Sequence, residues 1–291
     1  MINEVDLKEL IEQTIQEFVQ PSNQLEAKKV EKKEFLEAGE IADITEIDLR
    51  KRLLVPNPVS KEAYLDMKAN TPARVGVWRS GPRMKTETLL RFWADHAASQ
   101  DAVQGEVSEE FIEKLGLISV KTKCRDKSEY LTRTDLGREF DEDEIEKIKK
   151  ECERKPQVQL IVADGLSSTA IERNTEDVLP AIKLGLEAEG IRTGKDIFVR
   201  YGRVPSMDVI SEVTGAEVCC LLVGERPGLV TGESMSAYLA YKATVGMPEA
   251  NRTVVSNIYN GGTPTVEAGA HVASIIKQML DKKASGQNLK L

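Results

Sequence analysis

The sequence predicts an α/β protein whose carboxyl-terminal part is a Rossmann-like domain built on a parallel sheet. Three observations predict this fold class: β-branched runs after Pro156, helical patterns between them, and polar, glycine-containing loops where the runs end. The predicted order is an amphipathic helix over residues 1–20, a linker over 21–55, a mainly helical domain over 56–155 and the Rossmann-like domain over 156–291.

The first stretch, residues 1–20, has the pattern of an amphipathic helix. Asp6 and Glu9 have the spacing of a capping box. A helix this short is marginal in water, so it must dock on something. Its apolar residues recur at intervals of three and four, which gives one stripe along the helix: Leu7, Leu10, Ile11, Ile15 and Phe18.

The composition of residues 21–55 is that of a linker. The stretch EAKKVEKKEFLEAGE is highly charged and offers few apolar side chains to bury. This tether favours a detachable, partner-binding helix over a terminal helix that packs permanently on its own domain.

Helical signals dominate residues 56–155. Gly81 and the proline after it lead into a helix on which Arg91 and Asp95 are spaced to pair at the surface. A later helix carries acids in its first turn and bases in its last. Residues 118–132 are predicted to form a hairpin.

Four β-branched runs predict the strands of the Rossmann-like domain: VQLIVAD, DIFVRY, EVCCLLV and RTVVSNI. Helical patterns separate them, which is typical of a parallel sheet covered by helices. SAYLAYKA is predicted as a further strand. Cys219 and Cys220 are neighbours in the third run, so their side chains are expected on opposite faces. Thr169 and Glu172 have the spacing of a capping box after the first strand.

The composition excludes several classes of protein. The chain has 291 residues, 41% apolar and 30% charged, which suits a soluble protein with enough core for about two domains. It has neither a signal-peptide pattern nor a run of about 18 apolar residues that could span a membrane. The net charge of −8 argues against a nucleic-acid partner. Its four cysteines lack CxxC spacing and are interpreted as reduced thiols of a cytoplasmic protein.

Polar loops follow the predicted strands: ADGLSS, RYGRVPS, GERPGL and SNIYNGGTP. Because ligands of open α/β sheets bind outside the carboxyl ends of the strands, these loops predict a ligand surface. Glycine lets the backbone approach a bulky ligand closely. The third loop places Glu225 beside Arg226, and adjacent opposite charges either satisfy each other or bind a ligand.

The chain carries no recognisable catalytic constellation. The loop after the first strand matches neither the dinucleotide fingerprint nor a P-loop. His96 and His271 are far apart in sequence, and they form neither a metal-binding HExxH motif nor a triad. The sequence therefore predicts a chain that binds a ligand and carries no catalytic residue and no metal ligand of its own.

Several long phrases resemble the small subunit of ethanolamine ammonia-lyase. They are LLRFWADHAASQDAV, LIVADGLSS, FVRYGRV, LLVGERPGL, SNIYNGGTPTVEAGA and KASGQNLKL, and they cover roughly residues 71–291. The resemblance implies a carbon–nitrogen lyase that uses adenosylcobalamin, a cobalt-containing cofactor, to convert ethanolamine into acetaldehyde and ammonia. It also implies a hetero-oligomer in which a large subunit, a TIM barrel, carries the catalytic groups while the small subunit closes the cobalamin site.

The resemblance further implies three cofactor contacts on this chain: Val204, Glu225 and Val254. The valines are expected to offer backbone groups and apolar contact, and Glu225 can accept hydrogen bonds from corrin amides or ribose hydroxyls. Neither histidine fits the Asp-x-His-x-x-Gly loop that replaces the lower base of cobalamin. The cofactor is therefore expected to bind with its own dimethylbenzimidazole on cobalt.

Two other functions remain open at this stage. A Rossmann-like domain suits a nucleotide-dependent oxidoreductase subunit, and a chain without catalytic groups suits a scaffold subunit that binds no cofactor. For Arg226, a structural ion pair or a contact with the large subunit is expected, and a purely structural pair between Glu225 and Arg226 also remains open.

The helix predicted over residues 1–20 resembles the encapsulation peptides of bacterial microcompartment enzymes. Ethanolamine-degrading systems commonly confine acetaldehyde in such shells. The resemblance therefore implies a cytoplasmic location within a bacterial microcompartment, with the shell as a second partner.

Overall fold

The computed structural model of the protein describes Ile44 and residues 47–290. The helix predicted over residues 1–20 and most of the predicted linker therefore lie outside the described residues. The predicted α/β fold class is confirmed, because helices pack on a six-stranded, mostly parallel sheet. None of the described helices is long and apolar enough to cross a membrane.

The part of the chain before the second strand of this sheet is mainly helical. A two-stranded antiparallel hairpin, formed by β1 (Arg79–Ser80) and β2 (Arg83–Met84), precedes the longest of these helices. The helices are α1 (Lys61–Ala69), α2 (Thr86–Gln104), α3 (Glu109–Lys114), α4 (Lys127–Thr132) and α5 (Glu142–Glu151).

The sheet has the strand order β3-β5-β4-β6-β7-β8. Its strands are β3 (Ile118–Lys121), β4 (Val158–Ala163), β5 (Ile197–Arg200), β6 (Val218–Gly224), β7 (Met235–Tyr241) and β8 (Thr253–Ile258). Three further helices come directly after β4, β5 and β8: α6 (Ser168–Ala188), α7 (Ser206–Thr214) and α8 (Thr265–Lys282).

The prediction of a hairpin over residues 118–132 is wrong. The strand β3 pairs in parallel with β5, about eighty residues farther along the chain, with Ile118 opposite Ile197. The second half of the predicted hairpin is α4, because the Asp126 carboxylate accepts the Glu129 N–H at 2.9 Å and caps a helix there.

The prediction of a parallel sheet holds for β3 to β6 and is wrong for β7, the further strand predicted from SAYLAYKA. That strand runs antiparallel to β6, and β8 runs antiparallel to β7. The strand β8 therefore points the same way as β6. As a result, the carboxyl ends of β3, β4, β5, β6 and β8 lie at one edge of the sheet, as the polar loops predicted.

Helices cover both faces of the sheet, and two neighbouring cysteines mark these faces. Cys220 belongs to a core cluster with residues of α3, α6 and α8, whereas Cys219 belongs to a cluster with residues of α5 and α7. The predicted opposite orientation of Cys219 and Cys220 is therefore confirmed, and all four cysteines are buried and free. We call these faces the Cys220 face and the Cys219 face.

Two local predictions need correction. The cap of α6 is Ser167, whose hydroxyl accepts the Ala170 N–H at 3.0 Å, so the capping box predicted at Thr169 and Glu172 is wrong. The predicted Arg91–Asp95 pair forms at 2.9 Å, but Asp95 is 8% exposed and also pairs with Arg74 at 2.6 Å. The Asp95 carboxylate is thus a buried partner of Arg74 and Arg91, and not half of a surface pair.

Candidate functional site

The loops that follow the strands meet at the carboxyl edge of the sheet. Gly165 has a φ of +57°, and a β-carbon there would lie 2.5 Å from the Gly224 carbonyl oxygen and 3.0 Å from the Gly224 nitrogen. Only glycine allows the loops after β4 and β6 to approach this closely. The backbone that leads into Glu225, the residue after Gly224, is therefore held in place.

Three hydrogen bonds hold the Glu225 carboxylate. Ser234 donates from its hydroxyl to Oε2 at 2.7 Å, and the Asn257 N–H donates to Oε1 at 3.0 Å. The Ser236 hydroxyl also donates to Oε1. A carboxylate has about four acceptor positions. About one position of Glu225 therefore remains for a ligand.

The same contacts determine the charge of Glu225. Burial raises the pKa of its carboxyl, but the hydrogen bonds from Asn257, Ser236 and Ser234 outweigh burial and lower the pKa below its usual value. Glu225 is thus an ionised acceptor of fixed orientation. Arg226 has no part in this arrangement, so the structural Glu225–Arg226 pair left open by the sequence does not form.

Val204 and Val254 lie on the same face of the sheet as Glu225. Val204 packs against the core cluster of the Cys219 face, as does Tyr238 of β7. Val254 is 45% exposed and lies opposite Tyr238 in the register between β7 and β8. Because alternate residues of a strand share a face, Glu225 lies on the side of Cys219, Leu221 and Val223. The structure therefore places all three predicted contacts on the Cys219 face.

The loop that carries Val204 is held by a buried carboxylate. Asp164 is 0% exposed and accepts the backbone N–H groups of Tyr201 at 3.0 Å and Gly202 at 3.3 Å. These bonds hold Tyr201 in a left-handed conformation with a φ of +59°. The Val204 carbonyl accepts the Met207 N–H at 3.2 Å, while the Val204 N–H has no acceptor among the described residues. That N–H group can donate to a ligand.

Arg226 lines a separate groove of about 720 Å³. His96 and Gln100 of α2 form one wall of this groove, and Leu166 of the loop after β4 contributes to its lining. Arg226 is exposed and forms no ion pair with any residue in the described part of the chain. Its side chain therefore remains available to a partner.

Both histidines are exposed on helices. His96 is exposed on α2 and stacks on Phe92, with ring centroids 6.5 Å apart. His271 is exposed on α8, which packs against the Cys220 face. Within Ile44 and residues 47–290, no group of three or more histidine, cysteine or acidic residues could hold a metal ion.

Sequence reasoning missed the residues that hold the site together. Asp164 belongs to the predicted polar loop ADGLSS but was given no role of its own, and Ser234 and Ser236 were given none. The signal for the serines is the alternation in ESMSAY, which places Ser234, Ser236 and Tyr238 on one face of a strand. Asn257 contributes a backbone N–H, which no side-chain pattern reports.

Comparison with known proteins gives one consistent family. A family model described as the ethanolamine ammonia-lyase light chain matches residues 61–290. The ethanolamine ammonia-lyase small subunit of Clostridium perfringens is 58% identical over 295 residues, which cover 99% of this chain and 100% of the relative. The small subunit of Listeria monocytogenes serovar 1/2a is 55% identical over 293 residues, with 99% and 100% covered. That of Clostridium tetani is 54% identical over 300 residues, with both chains fully covered.

Proposed function

Since this chain belongs to the ethanolamine ammonia-lyase light-chain family, we propose that it is the small subunit of an adenosylcobalamin-dependent lyase that converts ethanolamine into acetaldehyde and ammonia. In this proposal the chain closes the cobalamin site, while a large subunit with a TIM-barrel fold binds the substrate and carries the catalytic groups. When bound, the cofactor supplies the radical chemistry, and this chain supplies position and shielding.

The observation that carries the proposal is the location of Val204, Glu225 and Val254 on one face of the sheet, the Cys219 face. Val204 and Glu225 lie in loops at the carboxyl edge, and Val254 lies farther down this face, near the start of β8. Cobalamin is a large amphipathic ligand with many amide groups, ribose hydroxyls and a phosphate. The site offers an ionised acceptor at Glu225, a free N–H at Val204 and apolar surface at Val254. This combination fits such a ligand.

The positions of the histidines support base-on binding. His271 lies on a helix of the Cys220 face, His96 lines the groove of Arg226, and neither belongs to an Asp-x-His-x-x-Gly loop. The lower base of the cofactor is therefore proposed to stay on cobalt.

The test is co-expression of this chain with the large subunit. The purified complex is incubated with adenosylcobalamin, free cofactor is removed by desalting, and a corrin absorption spectrum is recorded. The complex should retain the corrin and turn over ethanolamine, whereas this chain alone should do neither, because half of the site is missing. A complex that retains no corrin would contradict the proposal. Turnover by this chain alone would contradict the assignment of catalysis to the large subunit.

Two exposed valines provide a matched pair of variants. Val254 is 45% exposed on β8, and Val266 is 61% exposed on α8 of the Cys220 face. Val254→Asp should weaken cobalamin binding by the complex, because it places a charge against an apolar contact. Val266→Asp should leave it unchanged. Equal effects of the two substitutions would remove the support that Val254 gives to the proposal.

We also propose that residues 1–20 deliver the lyase to a bacterial microcompartment in the cytoplasm. The support is the amphipathic stripe of the sequence and the charged tether after it, since no residue of this segment is described. A detachable helix of this kind can fill a groove on a shell protein.

A further inference from the structure

Tyr238 presents a polar group on the Cys219 face that the proposed contacts do not use. It is half-buried, and its ring packs against the core cluster of that face. In the register of β7 and β8 it lies opposite Val254, and it follows Ser236, which holds Glu225, by two residues on the same face. Tyr238 thus lies beside one proposed cofactor contact, Val254, and beside the serine that holds another, Glu225.

The hydroxyl of Tyr238 has no hydrogen-bond partner among the described residues. The two buried tyrosines behave differently, because Tyr130 donates to the Gly202 carbonyl at 3.3 Å and Tyr201 donates to Glu106. A tyrosine hydroxyl usually has a partner when it is buried. The half-buried Tyr238 hydroxyl is free to donate to a bound molecule, and its place beside Val254 and Ser236 puts it within the proposed cofactor surface.

We infer that Tyr238 is a further cobalamin-binding residue, whose phenol donates a hydrogen bond to an acceptor oxygen of the cofactor. This inference rests on the proposed function and extends it to a residue that the family resemblance did not supply. Glu225 is an ionised carboxylate that can only accept, and the Tyr238 phenol can donate. Together they bind a ligand that presents a donor and an acceptor side by side, as the amide side chains of the corrin do.

The electrostatics of the site keep Tyr238 in its donor form. Burial raises the pKa of its phenol, and the negative charge of Glu225 raises it further. The phenol therefore stays protonated at neutral and moderately alkaline pH, where it can donate. Tyr238 forms no hydrogen bond with the Glu225 carboxylate, which Ser234, Ser236 and Asn257 hold.

The test compares Tyr238→Phe with Tyr241→Phe in the complex with the large subunit. Tyr241 is a matched control, because it lies on the same strand but packs against the Cys220 face. The dissociation constant of adenosylcobalamin, measured by equilibrium dialysis and corrin absorbance, should rise roughly threefold to tenfold in Tyr238→Phe. Tyr241→Phe should bind like the wild type, and both complexes should assemble normally by gel filtration.

A second ligand locates the acceptor. Cobinamide has the corrin and its amides but lacks the lower nucleotide. If Tyr238→Phe weakens cobalamin and cobinamide alike, the acceptor is a corrin amide; if it weakens cobalamin alone, the acceptor is on the ribose or phosphate. Either result supports the inference. Unchanged cobalamin binding by Tyr238→Phe, beside a wild-type complex that binds cobalamin, would overturn it and leave the proposed function standing. A wild-type complex that binds no cobalamin would overturn the proposed function itself.

Discussion

The Asp208 carboxylate and the Arg252 guanidinium form a buried ion pair with two hydrogen bonds of 2.7 and 2.8 Å, and each side chain is 1% exposed. The pair joins α7, which begins just after Val204, to the residue before β8, which carries Val254. The pair is therefore a direct link between the segments that carry two of the proposed cofactor contacts.

Removing one member of this pair should destabilise the fold strongly. Asp208→Asn leaves the charge of Arg252 buried with only Glu249 as a charged partner. We expect the free energy of unfolding to fall by about 3–5 kcal/mol, measured by urea unfolding of the full chain. Glu146→Gln, which breaks an exposed pair with Lys149, should cost less than about 1 kcal/mol. Similar losses from the two variants would contradict this account of the buried pair.

Removing the Glu225 carboxylate should weaken cofactor binding by the complex. Glu225→Ala deletes an acceptor that three hydrogen bonds hold in one orientation, so affinity for adenosylcobalamin should fall by about 1–3 kcal/mol. The KM for ethanolamine should stay nearly unchanged. Arg226→Ala is the matched control and should leave the affinity for adenosylcobalamin unchanged, because Arg226 lines the separate groove beside α2. If Glu225→Ala left the dissociation constant unchanged, Glu225 would have only a structural role.

The contribution of Glu225 to stability should depend on pH. Hydrogen bonds outweigh burial and hold its pKa below the ordinary 4.5. Because the pKa is lower in the folded state than in the unfolded state, ionised Glu225 stabilises the fold above pH 4.5. This contribution is lost as the pH falls through the lowered pKa. The difference in unfolding free energy between wild type and Glu225→Gln should therefore shrink between neutral pH and about pH 3. A difference independent of pH would refute this assignment.

The sequence predicted the parallel part of the sheet because β4, β5 and β6 are buried on both faces, so their residues form continuous apolar runs. The reversal at β7 also left a signal. The connection from β6 to β7 spans only residues 225–234, and a parallel crossover needs a dozen or more residues. The position of β3 left no local signal, because its pairing with β5 joins segments distant in sequence.

The candidate site, too, was predictable from the sequence only in part. Glu225 stood out in the sequence because charges rarely follow a buried strand directly. Its partners did not, since Asn257 contributes only a backbone N–H and this N–H reaches Oε1 through the left-handed turn at Asn257, with a φ of +63°. The ladder between β7 and β8 also contains a register irregularity, because β8 advances three residues, from Val255 to Ile258, where β7 advances two. Such bulges depend on tertiary packing and are not visible in residue order.

No protein histidine should coordinate cobalt. We expect electron paramagnetic resonance of the cob(II)alamin state, with nitrogen-15-labelled protein and unlabelled cofactor, to show axial nitrogen-14 hyperfine splitting. The physical reason is that His271 lies on α8 of the Cys220 face and that neither His96 nor His271 belongs to an Asp-x-His-x-x-Gly loop. A nitrogen-15 pattern would mean that a protein residue supplies the axial ligand.

Residues 1–20 should direct a cargo protein to a microcompartment shell. The stripe of Leu7, Leu10, Ile11, Ile15 and Phe18 suits a groove on a partner. A fusion of residues 1–20 to a fluorescent protein should form foci in cells that make the shell and stay diffuse in cells that do not.

Replacing Leu10 and Ile11 with glutamate should abolish these foci, because a charge on the apolar stripe opposes burial in a groove. The same substitutions should leave the activity of the purified complex intact, since the proposed cofactor contacts begin at Val204. Glutamate at Lys8 and Gln13, two polar positions outside the stripe, is the matched control and should leave the foci in place. If deletion of residues 1–20 instead destroyed assembly or turnover, this segment would belong to the folded core, because a targeting helix contributes nothing to either.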